Sequence, residues 1–387
     1  MKRPSGFDYR SEVIGLAQEM VRVNTVNPPG GEAVLARLIA ERLRSYGVPA
    51  EVTLVAPGRA NVTGRLAGRG GHSALLLSGH LDTVPPGEAP WAHDPFGGEL
   101  VGGRLYGRGA ADMKGGLAAA VVAAGLLARE GVLSGDVVVS AVAGEEVDSL
   151  GARRFVADGG LAGVGLIVVA EPTGLRLALA EKGALWVSVT THGRAAHGSM
   201  PWHGVNAISH LTLFLNELAG LDLGPAHPVL GPPTVNVGTI SGGVKTNVVP
   251  DRCTATLDFR TVPGLGTAEL RRRLEGLLAE LGRRIPEFRA ELQVLNAREP
   301  VETDPAHPWV GLAQGCCRKL GLSPEPATVN FYTDAAVLAE EPGHPPVLIF
   351  GPGAQEMAHQ PDEHVETEEL VRAVEFYCEL ARTYLST

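Results

Sequence analysis

The stretch "ALLLSGHLDTVPP", residues 74–86, joins an apolar strand to two polar side chains. Residues 74–77 form a short continuous apolar run, which is typical of a strand buried on both faces. His80 and Asp82 follow at the point where this strand ends. Residues i and i+2 of an extended chain project to the same side, so these two side chains can act as a pair. The alternative interpretation is an ordinary turn, in which the aspartate favours the turn and the histidine is hydrogen-bonded.

Acidic or imidazole side chains also follow the other apolar strands of this pattern. They are Glu145 and Glu146 after 136–143, Glu171 after 166–170, and His359 in the loop after 347–351. Ligands of open α/β sheets bind beyond the carboxyl ends of the strands, so we expect these side chains at one edge. Such a cluster of carboxylates needs cations, and histidines among them favour transition metals over calcium or magnesium. The sequence therefore predicts a metal site.

The length and composition indicate a globular protein of two domains, without a nucleic-acid or membrane partner. A chain of 387 residues exceeds the roughly 250–300 residues at which a single core usually divides. Its 44% hydrophobic and 20% charged residues are ordinary for a globular protein. The formal net charge of −10 would repel phosphate groups and anionic lipid headgroups.

The cysteines and the apolar stretches favour a cytoplasmic location. None of the cysteines has metal-type spacing, and we interpret them as thiols in a reducing compartment: Cys253, Cys316, Cys317 and Cys378. Residues 1–20 contain no apolar segment of the kind found in a secretion signal. The longest apolar stretch, 116–128, is too short to span a bilayer and predicts a buried helix.

Helix and strand patterns alternate in the first part of the chain, which indicates an α/β sheet with a largely parallel core. The predicted elements are helices over 9–23, 32–47 and from near Met113, a hairpin over 96–107, and strands over 50–55, 61–68, 74–80, 136–144 and 165–172. A short helix is predicted near 150–158. The same pattern resumes near residue 301, with helices over 307–321 and 366–385 and a strand over 346–351.

Between these two parts, the pattern changes to β-α-β-β-α-β, the order of a ferredoxin-like sandwich that folds as its own unit. Its predicted elements are 184–193, 204–219, 234–243, 252–263, 267–285 and 290–299. We therefore predict a mixed, largely parallel α/β catalytic domain, formed by 1–182 and 300–387, with an inserted α+β domain over 183–299.

Six motifs carry a resemblance to a known family: "SGHLDTVP", "GRGAADMKGG", "AGEEVDSLG", "AEPTG", "GRAAHGSMPWHGVNAI" and "HQPDEHV". In order and spacing they resemble the metallohydrolase family of acetylornithine deacetylase, succinyl-diaminopimelate desuccinylase, aminoacylase and carboxypeptidase G. The resemblance covers essentially the whole chain. It implies an α/β catalytic domain with an inserted ferredoxin-like lid that dimerises.

The resemblance also implies roles for the polar residues at the strand ends. The implied ligands form two pairs and a bridge: His80 with Glu171, Glu146 with His359, and Asp112 between the two metal ions. Asp82 is expected to orient His80. Glu145 is expected to take a proton from the water that the two ions activate and to pass it to the leaving amine. We expect two divalent transition-metal ions per chain, zinc in the first place, with cobalt or manganese as alternatives.

Three residues of the inserted domain are further candidates. The resemblance makes His197 in "AAHGS" an oxyanion donor supplied by the partner subunit, and a hydrogen-bonded loop histidine is the alternative. Asn247 and Arg260 resemble substrate-binding positions. Arg260 can clamp a carboxylate with two hydrogen bonds, but a structural ion pair is the alternative. We interpret three other histidines as structural: His93, His203 and His364.

These implications predict a two-metal amidohydrolase that removes an N-acyl group from a small N-acyl amino acid with a free carboxylate. A carboxypeptidase or dipeptidase of the same family is the alternative. A desuccinylase is disfavoured because 183–185 is apolar where those enzymes typically carry arginine. A non-catalytic metal-dependent binding protein is the alternative of a different class, and it is disfavoured because Glu145 and every expected ligand are present. We expect a homodimer that forms through the inserted domain.

Overall fold

The computed structural model describes residues 7–131 and 133–386, which form two compact units. The first unit comprises the chain up to Ala180, Glu302–Val329 and the chain from Thr333 onward. The second unit comprises Glu181–Val301 and a short segment that is distant in sequence, Asn330–Tyr332. A role of the predicted 183–299 insertion as a lid and dimerisation domain stays a prediction.

The helices of the described residues carry apolar side chains on the faces that they bury. The α-helices are α1 (Tyr9–Arg22), α2 (Glu32–Ser45), α3 (Gly115–Glu130), α4 (Leu150–Ala157), α5 (Ala207–Leu218), α6 (Thr267–Arg284), α7 (Pro308–Leu320), α8 (Ala335–Leu338) and α9 (Thr367–Tyr384). Shorter turns of π- or 3₁₀-helix lie at Ala110–Lys114, Pro201–His203 and Gln355–Met357.

The strands include all of those predicted from the sequence and several shorter ones. They are β1 (Ala50–Ala56), β2 (Arg59–Leu66), β3 (His72–His80), β4 (Glu99–Val101), β5 (Arg104–Tyr106), β6 (Gly135–Val142), β7 (Val164–Val169), β8 (Ala178–Glu181), β9 (Gly183–His192), β10 (Thr234–Gly242), β11 (Arg252–Thr261), β12 (Arg289–Arg298), β13 (Val301–Glu302), β14 (Ala327–Val329), β15 (Val347–Ile349) and β16 (His364–Glu366). The sequence pattern missed β8, β13, β14 and β16, because strands this short have no measurable alternation.

The large sheet confirms the predicted mixed, largely parallel architecture. Its strand order is β1-β2-β6-β3-β7-β15-β8-β13, with β14 beside β8. The four neighbours β6, β3, β7 and β15 pair in parallel. Strand β2 pairs antiparallel with both β6 and β1. Leu75, Leu76 and Leu77 on β3 are fully buried, which explains the continuous apolar run over residues 74–77.

Helix α3 is buried from Gly115 to Leu127, in agreement with the buried helix predicted for 116–128. By length and composition alone, Ala110–Glu130 could cross a membrane, but its most apolar window is completely buried inside the protein. Gly116 permits a close approach between α3 and the sheet, since a Cβ atom there would overlap the carbonyl oxygen of Ala170. The helix therefore packs directly against the chain that precedes Glu171.

The second unit has the predicted β-α-β-β-α-β order, from β9 to β12. Its antiparallel sheet is ordered β10-β11-β9-β12, so the first strand of the motif lies between the third and the fourth. Alternate residues of β9 and β11, such as Val187 and Leu257, are buried in one core with α5 and α6. Strand β10 forms an edge of this sheet and is exposed over most of its length.

Candidate metal centre

The parallel strands of the large sheet bring the predicted polar residues to one edge. His80 is the last residue of β3, and Glu145 and Glu146 follow the neighbouring β6. Glu171 follows β7 on the other side of β3, and His359 lies in the loop beyond β15. Adjacent parallel strands end at the same edge of a sheet, which is why these side chains lie close together.

Asp112 reaches the same edge from the π-helical turn Ala110–Lys114, which leads into α3. Its two carboxylate oxygens face different imidazoles. Oδ1 lies 3.1 Å from Nε2 of His80, and Oδ2 lies 3.3 Å from Nε2 of His359. Because each oxygen meets a separate nitrogen, the carboxylate occupies the position of a bridge between two groups of ligands.

The two groups each contain three potential metal ligands whose donor atoms lie within 4.8 Å of one another. The first consists of His80, Asp112 and Glu171, with 3.8 Å between Nε2 of His80 and Oε1 of Glu171. The second consists of Asp112, Glu146 and His359, with 3.3 Å between Nε2 of His359 and Oε1 of Glu146. Both groups match the pairs and the bridge that the sequence resemblance implied.

The ring of His80 is oriented for metal binding. Its Nδ1 lies 2.9 Å from the backbone carbonyl oxygen of Asp82, which can only accept, so Nδ1 carries the proton. Nε2 is then the free acceptor, and it faces Asp112 and Glu171. A histidine that binds a metal through one nitrogen commonly donates from the other to a carbonyl group in this way.

The carboxylate of Asp82 has a different set of partners from the one that the sequence suggested. Its Oδ1 is 3.7 Å from Nδ1 of His80. The same Oδ1 accepts backbone N–H bonds from Gly144 at 2.9 Å and Glu145 at 3.1 Å, and Oδ2 accepts one from Glu146 at 3.3 Å. The Asp82 backbone thus aims His80, while its side chain holds the loop that carries both glutamates.

Asn27 is a residue that the sequence argument missed. Its Nδ2 donates to Oδ2 of Asp82 at 2.8 Å, and both side chains are buried. The two residues are 55 positions apart, so no local motif joins them.

Burial and mutual repulsion disfavour the ionised form of the carboxyl groups at this edge when no cation is bound. Burial raises the pKa of Glu171 well above its usual range, and Asp112 and Glu146 add to the shift. Burial likewise raises the pKa of Glu145 well above its usual range. Divalent cations would remove this penalty, because they replace the lost hydration and cancel the repulsion.

The same carboxylates raise the pKa values of the two histidines, His80 and His359. Burial alone would lower the pKa of His80, but the carboxylates of Asp112 and Glu171 raise it well above its usual range. Hydrogen bonds to Asp112 and Glu146 raise the pKa of His359 to about 10. Both imidazoles are therefore surrounded by negative charge, as ligands of a cation are.

Glu145 lies beside both groups of ligands but belongs to neither among the described residues. Its side chain is buried, and the charges of His80, Glu146 and Glu171 act on it. A carboxylate that adjoins a metal centre without binding the metal can exchange a proton with a water there.

In the second unit, the loop that carries His197 is joined to the loop that carries Asn247. The N–H of Gly198 donates to the carbonyl oxygen of Asn247 at 2.8 Å, and His197 forms an antiparallel bridge with Val248. Both His197 and Asn247 are exposed.

Ser199 determines which nitrogen of His197 carries the proton. Its backbone N–H donates to Nδ1 of His197 at 3.2 Å, and its hydroxyl lies 2.8 Å from the same atom. Since a backbone N–H can only donate, Nδ1 is the acceptor and neutral His197 carries its proton on Nε2. The exposed ring can therefore donate this proton in a hydrogen bond.

Arg260 forms the ion pair that the sequence argument gave as the alternative. Its Nε lies 3.0 Å from Oδ1 of Asp258, and its guanidinium group lies 5.7 Å from the ring centre of Tyr332. The Nε1–H of Trp186 donates to the same Asp258 oxygen at 2.9 Å. A substrate-binding role for Arg260 stays a prediction.

Two of the histidines interpreted as structural have partners away from both groups of ligands. His93 stacks on Tyr106 and its Nδ1 lies 2.9 Å from Glu99, while Nδ1 of His364 lies 2.9 Å from the carbonyl oxygen of Asp362. His203 lies on an exposed 3₁₀ turn.

Comparison with known proteins supplies independent information about this chain. Residues 76–383 match the family model for peptidase family M20/M25/M40. The acetylornithine deacetylase of Edwardsiella ictaluri is 34% identical over 345 residues, which cover 87% of each chain. The probable succinyl-diaminopimelate desuccinylase of Staphylococcus epidermidis is 28% identical, in an alignment that covers 96% of this chain and 97% of that protein.

Solved structures share the fold over nearly the whole chain. An M20 family metallo-carboxypeptidase from Sulfolobus solfataricus has a TM-score of 0.80 at 20% identity, covering 96% of this chain and 99% of that one. A dinuclear metal-binding peptidase of the M20 family from Bacillus subtilis has a TM-score of 0.73 at 18% identity, covering 98% and 99%. At these identities, the likeness establishes the fold.

Proposed function

The chain belongs to peptidase family M20/M25/M40, and we propose on this premise that it is a two-metal deacylase of small N-acyl amino acids. The match over residues 76–383 confirms the resemblance drawn from the sequence motifs. The curated relatives identify the chain as a hydrolase that acts on amide bonds. The metal ions, the substrate and the residue roles are the parts that we propose.

One observation carries the proposal: the two oxygens of Asp112 are divided between His80 and His359. Paired catalytic metal ions lie about 3.5–4 Å apart, and a carboxylate spans that distance by giving one oxygen to each ion. His80 and Glu171 would complete one site, and Glu146 and His359 the other.

The donor set fits two transition-metal ions. It combines two imidazoles with three carboxylates, and imidazole nitrogen favours zinc and its neighbours over calcium or magnesium. Three carboxylates against two divalent ions leave a net charge of about +1, so the buried site would be close to neutral. Zinc is our first choice, with cobalt and manganese as alternatives. The dinuclear peptidase from Bacillus subtilis has the same fold, which supports two ions rather than one.

Metal ions held there would supply Lewis acidity, which polarises the substrate carbonyl and lowers the pKa of a water. The protein's own residues would then move the proton. Glu145 takes it from the attacking water as general base and gives it to the leaving amine as general acid. The Asp82 carboxylate fixes the Glu145 backbone, so it determines where this base can reach.

We propose a deacylase before the other members of the family because the acetylornithine deacetylase shares 34% identity with this chain. A carboxypeptidase or dipeptidase is the second candidate, since the metallo-carboxypeptidase has the same fold. The desuccinylase relative is less similar at 28%. In addition, the apolar residues Gly183, Ala184 and Leu185 are buried on β9 and offer no charge to a succinyl carboxylate.

We also propose a cytoplasmic homodimer in which the second unit of each chain supplies His197 to its partner. Strand β10 supports this proposal, because an exposed edge strand is available for pairing and carries the exposed apolar residues Val237 and Ile240. Nε2 of His197 would donate to the oxyanion of the reaction, and Asn247 and Arg260 would contact the substrate. The four free, buried cysteines suit a reducing compartment.

The deciding experiment is a hydrolysis screen with purified full-length protein in zinc, cobalt or manganese. The substrates are N-acetyl, N-formyl and N-succinyl amino acids and a set of dipeptides. We expect the highest kcat/KM with an N-acetyl or N-formyl amino acid, and the Glu145→Gln variant serves as the inactive control. A preference for dipeptides would favour the second candidate. Metal binding without hydrolysis of any substrate would instead favour the non-catalytic binding protein.

A further inference from the structure

A buried ion pair lies beside the turn that carries Asp112. Nη1 of Arg108 is 2.5 Å from Oε2 of Glu363, and the two side chains are 2% and 0% exposed. No sequence motif assigns a role to either residue. A buried ion pair by itself contributes little to stability, because the desolvation of both charges offsets their attraction.

Glu363 holds the backbone of the turn that carries Asp112. Its Oε1 accepts N–H bonds from Ala111 at 3.0 Å and from Asp112 at 2.9 Å. Its Oε2 accepts an N–H bond from Gly109 at 3.1 Å in addition to the Arg108 contact. The first N–H groups of a helical segment have no partner within the helix, so this carboxylate satisfies donors that would otherwise be buried alone.

Arg108 connects the same turn to the loop of His359. Its Nη2 lies 3.4 Å from the carbonyl oxygen of His359. Glu363 follows His359 by four residues, and its carbonyl oxygen accepts the N–H of Gly107 at 2.9 Å. The ion pair therefore links the backbone segments of two residues from the second group of ligands, Asp112 and His359.

We propose that Arg108 and Glu363 are a positioning pair that fixes the separation of Asp112 and His359 and thereby sets the affinity of the second metal site. The inference rests on the proposed function, because it assumes that the second group binds a metal ion. Neither side chain supplies a ligand atom, so the effect passes through the backbone. Partners that hold metal ligands in place typically contribute about 10- to 100-fold to metal affinity.

The test compares metal affinities of full-length Glu363→Gln and wild-type protein by competition with a chelator, using Zn²⁺ and Co²⁺. Glutamine keeps the size of the side chain. However, its NH₂ group would face the backbone N–H groups or the guanidinium that the carboxylate oxygens accept from, and these can only donate. We expect the ion of the second group to bind about 10- to 100-fold more weakly, with a changed visible spectrum of the Co²⁺ form. The ion of the first group should be weakened less, because that group shares only Asp112 with the second. The His359→Ala variant identifies the second ion: adding this substitution should not weaken the first site beyond the effect of Glu363→Gln alone.

Glu366→Gln is the matched control. Glu366 is the last residue of β16, the strand that begins directly after Glu363. It pairs with Arg104 at 2.7 Å, but both side chains are more than 40% exposed and belong to neither group of candidate ligands among the described residues. We expect both affinities to stay at the wild-type values in this variant. Melting of the metal-free proteins shows whether Glu363→Gln folds.

Arg108→Lys decides the question if Glu363→Gln does not fold. Lysine keeps a positive charge beside Glu363 but cannot contact the glutamate and the His359 carbonyl together, so we expect a smaller loss at the same site. Wild-type affinities for both ions in both variants would overturn the positioning role. An equal loss at both sites would also overturn it, since it would indicate a general structural effect. A wild-type protein that binds no ion would instead refute the proposed function.

Discussion

The edge of the large sheet and the His197 loop of the second unit contain the residues proposed for catalysis, and they differ in burial. His80, Glu145 and Glu171 are 1%, 6% and 2% exposed, and each is surrounded by charged neighbours. His197 and Asn247 are exposed, and the partners of the His197 ring are the N–H and hydroxyl of Ser199.

This difference separates a cluster of buried charges within one unit from an exposed side chain. Buried carboxylates that repel one another favour a bound cation, so the sheet edge has the composition expected of a metal centre. The exposed imidazole of His197 has no desolvation penalty to offset, and its Nε2–H is available to donate a hydrogen bond to a group outside its own unit.

Glu145→Gln should lower kcat by about 10²- to 10⁴-fold while both metal ions stay bound. Glutamine keeps the shape of the side chain but cannot accept a proton from water. Steady-state kinetics and elemental analysis measure the two effects. Glu146→Gln is the comparison, because it should weaken the second metal ion. If the two variants gave the same metal titration, the division of roles between the glutamates would be wrong.

His197→Ala should lower kcat by about 10²- to 10³-fold without loss of metal, because it removes one oxyanion donor. His203→Ala, in the same unit and also exposed, should leave kcat unchanged.

Mixing His197→Ala chains with Glu145→Gln chains tests whether the donor comes from the partner. About half of randomly reassembled dimers are mixed, and one of their two sites has both intact residues, so about a quarter of wild-type activity should return. Mass analysis checks that mixed dimers have formed. Their inactivity would show that His197 acts within its own chain or has no catalytic role.

Metal affinity at the sheet edge should rise with pH. The pKa of His359 in the metal-free protein is raised to about 10 by Asp112 and Glu146, so its imidazole is protonated at neutral pH. A metal ion must displace that proton, and the affinity of the second site should increase about tenfold per pH unit between pH 6.5 and 8.5. Chelator competition at several pH values measures the slope. A flat profile would contradict the assignment of His359 as a ligand, and His359→Gln should lose this proton-linked component.

Ser199→Ala should have the smallest effect, a fall in kcat of about two- to fivefold with KM unchanged, since one neutral hydrogen bond contributes about 0.5–1 kcal/mol. The Ser199 N–H remains and still keeps the proton of His197 on Nε2. Ser209→Ala, on α5 of the same unit, is the control. A loss as large as that of His197→Ala would mean that the hydroxyl, rather than the backbone, fixes the ring.

Much of the metal centre could be predicted because it depends on short-range rules. A buried parallel strand appears as an apolar run, and a candidate ligand lies at its end, as His80 is the last residue of β3. The family resemblance then supplied Asp112, which lies in a turn rather than at a strand end. The ferredoxin-like order from β9 to β12 was also readable, since alternating and helical periodicities succeed one another there.

The sequence alone was therefore enough for the order of the main elements and for the edge of the sheet at which the candidate ligands lie. The way in which these residues are held depends on the tertiary structure. The carboxylate of Asp82 accepts the N–H of Gly144, and the carboxylate of Glu363 accepts the N–H of Asp112. These contacts join residues 62 and 251 positions apart. Local periodicity cannot encode them, because a buried carboxylate finds its donors only after the chain has folded around it.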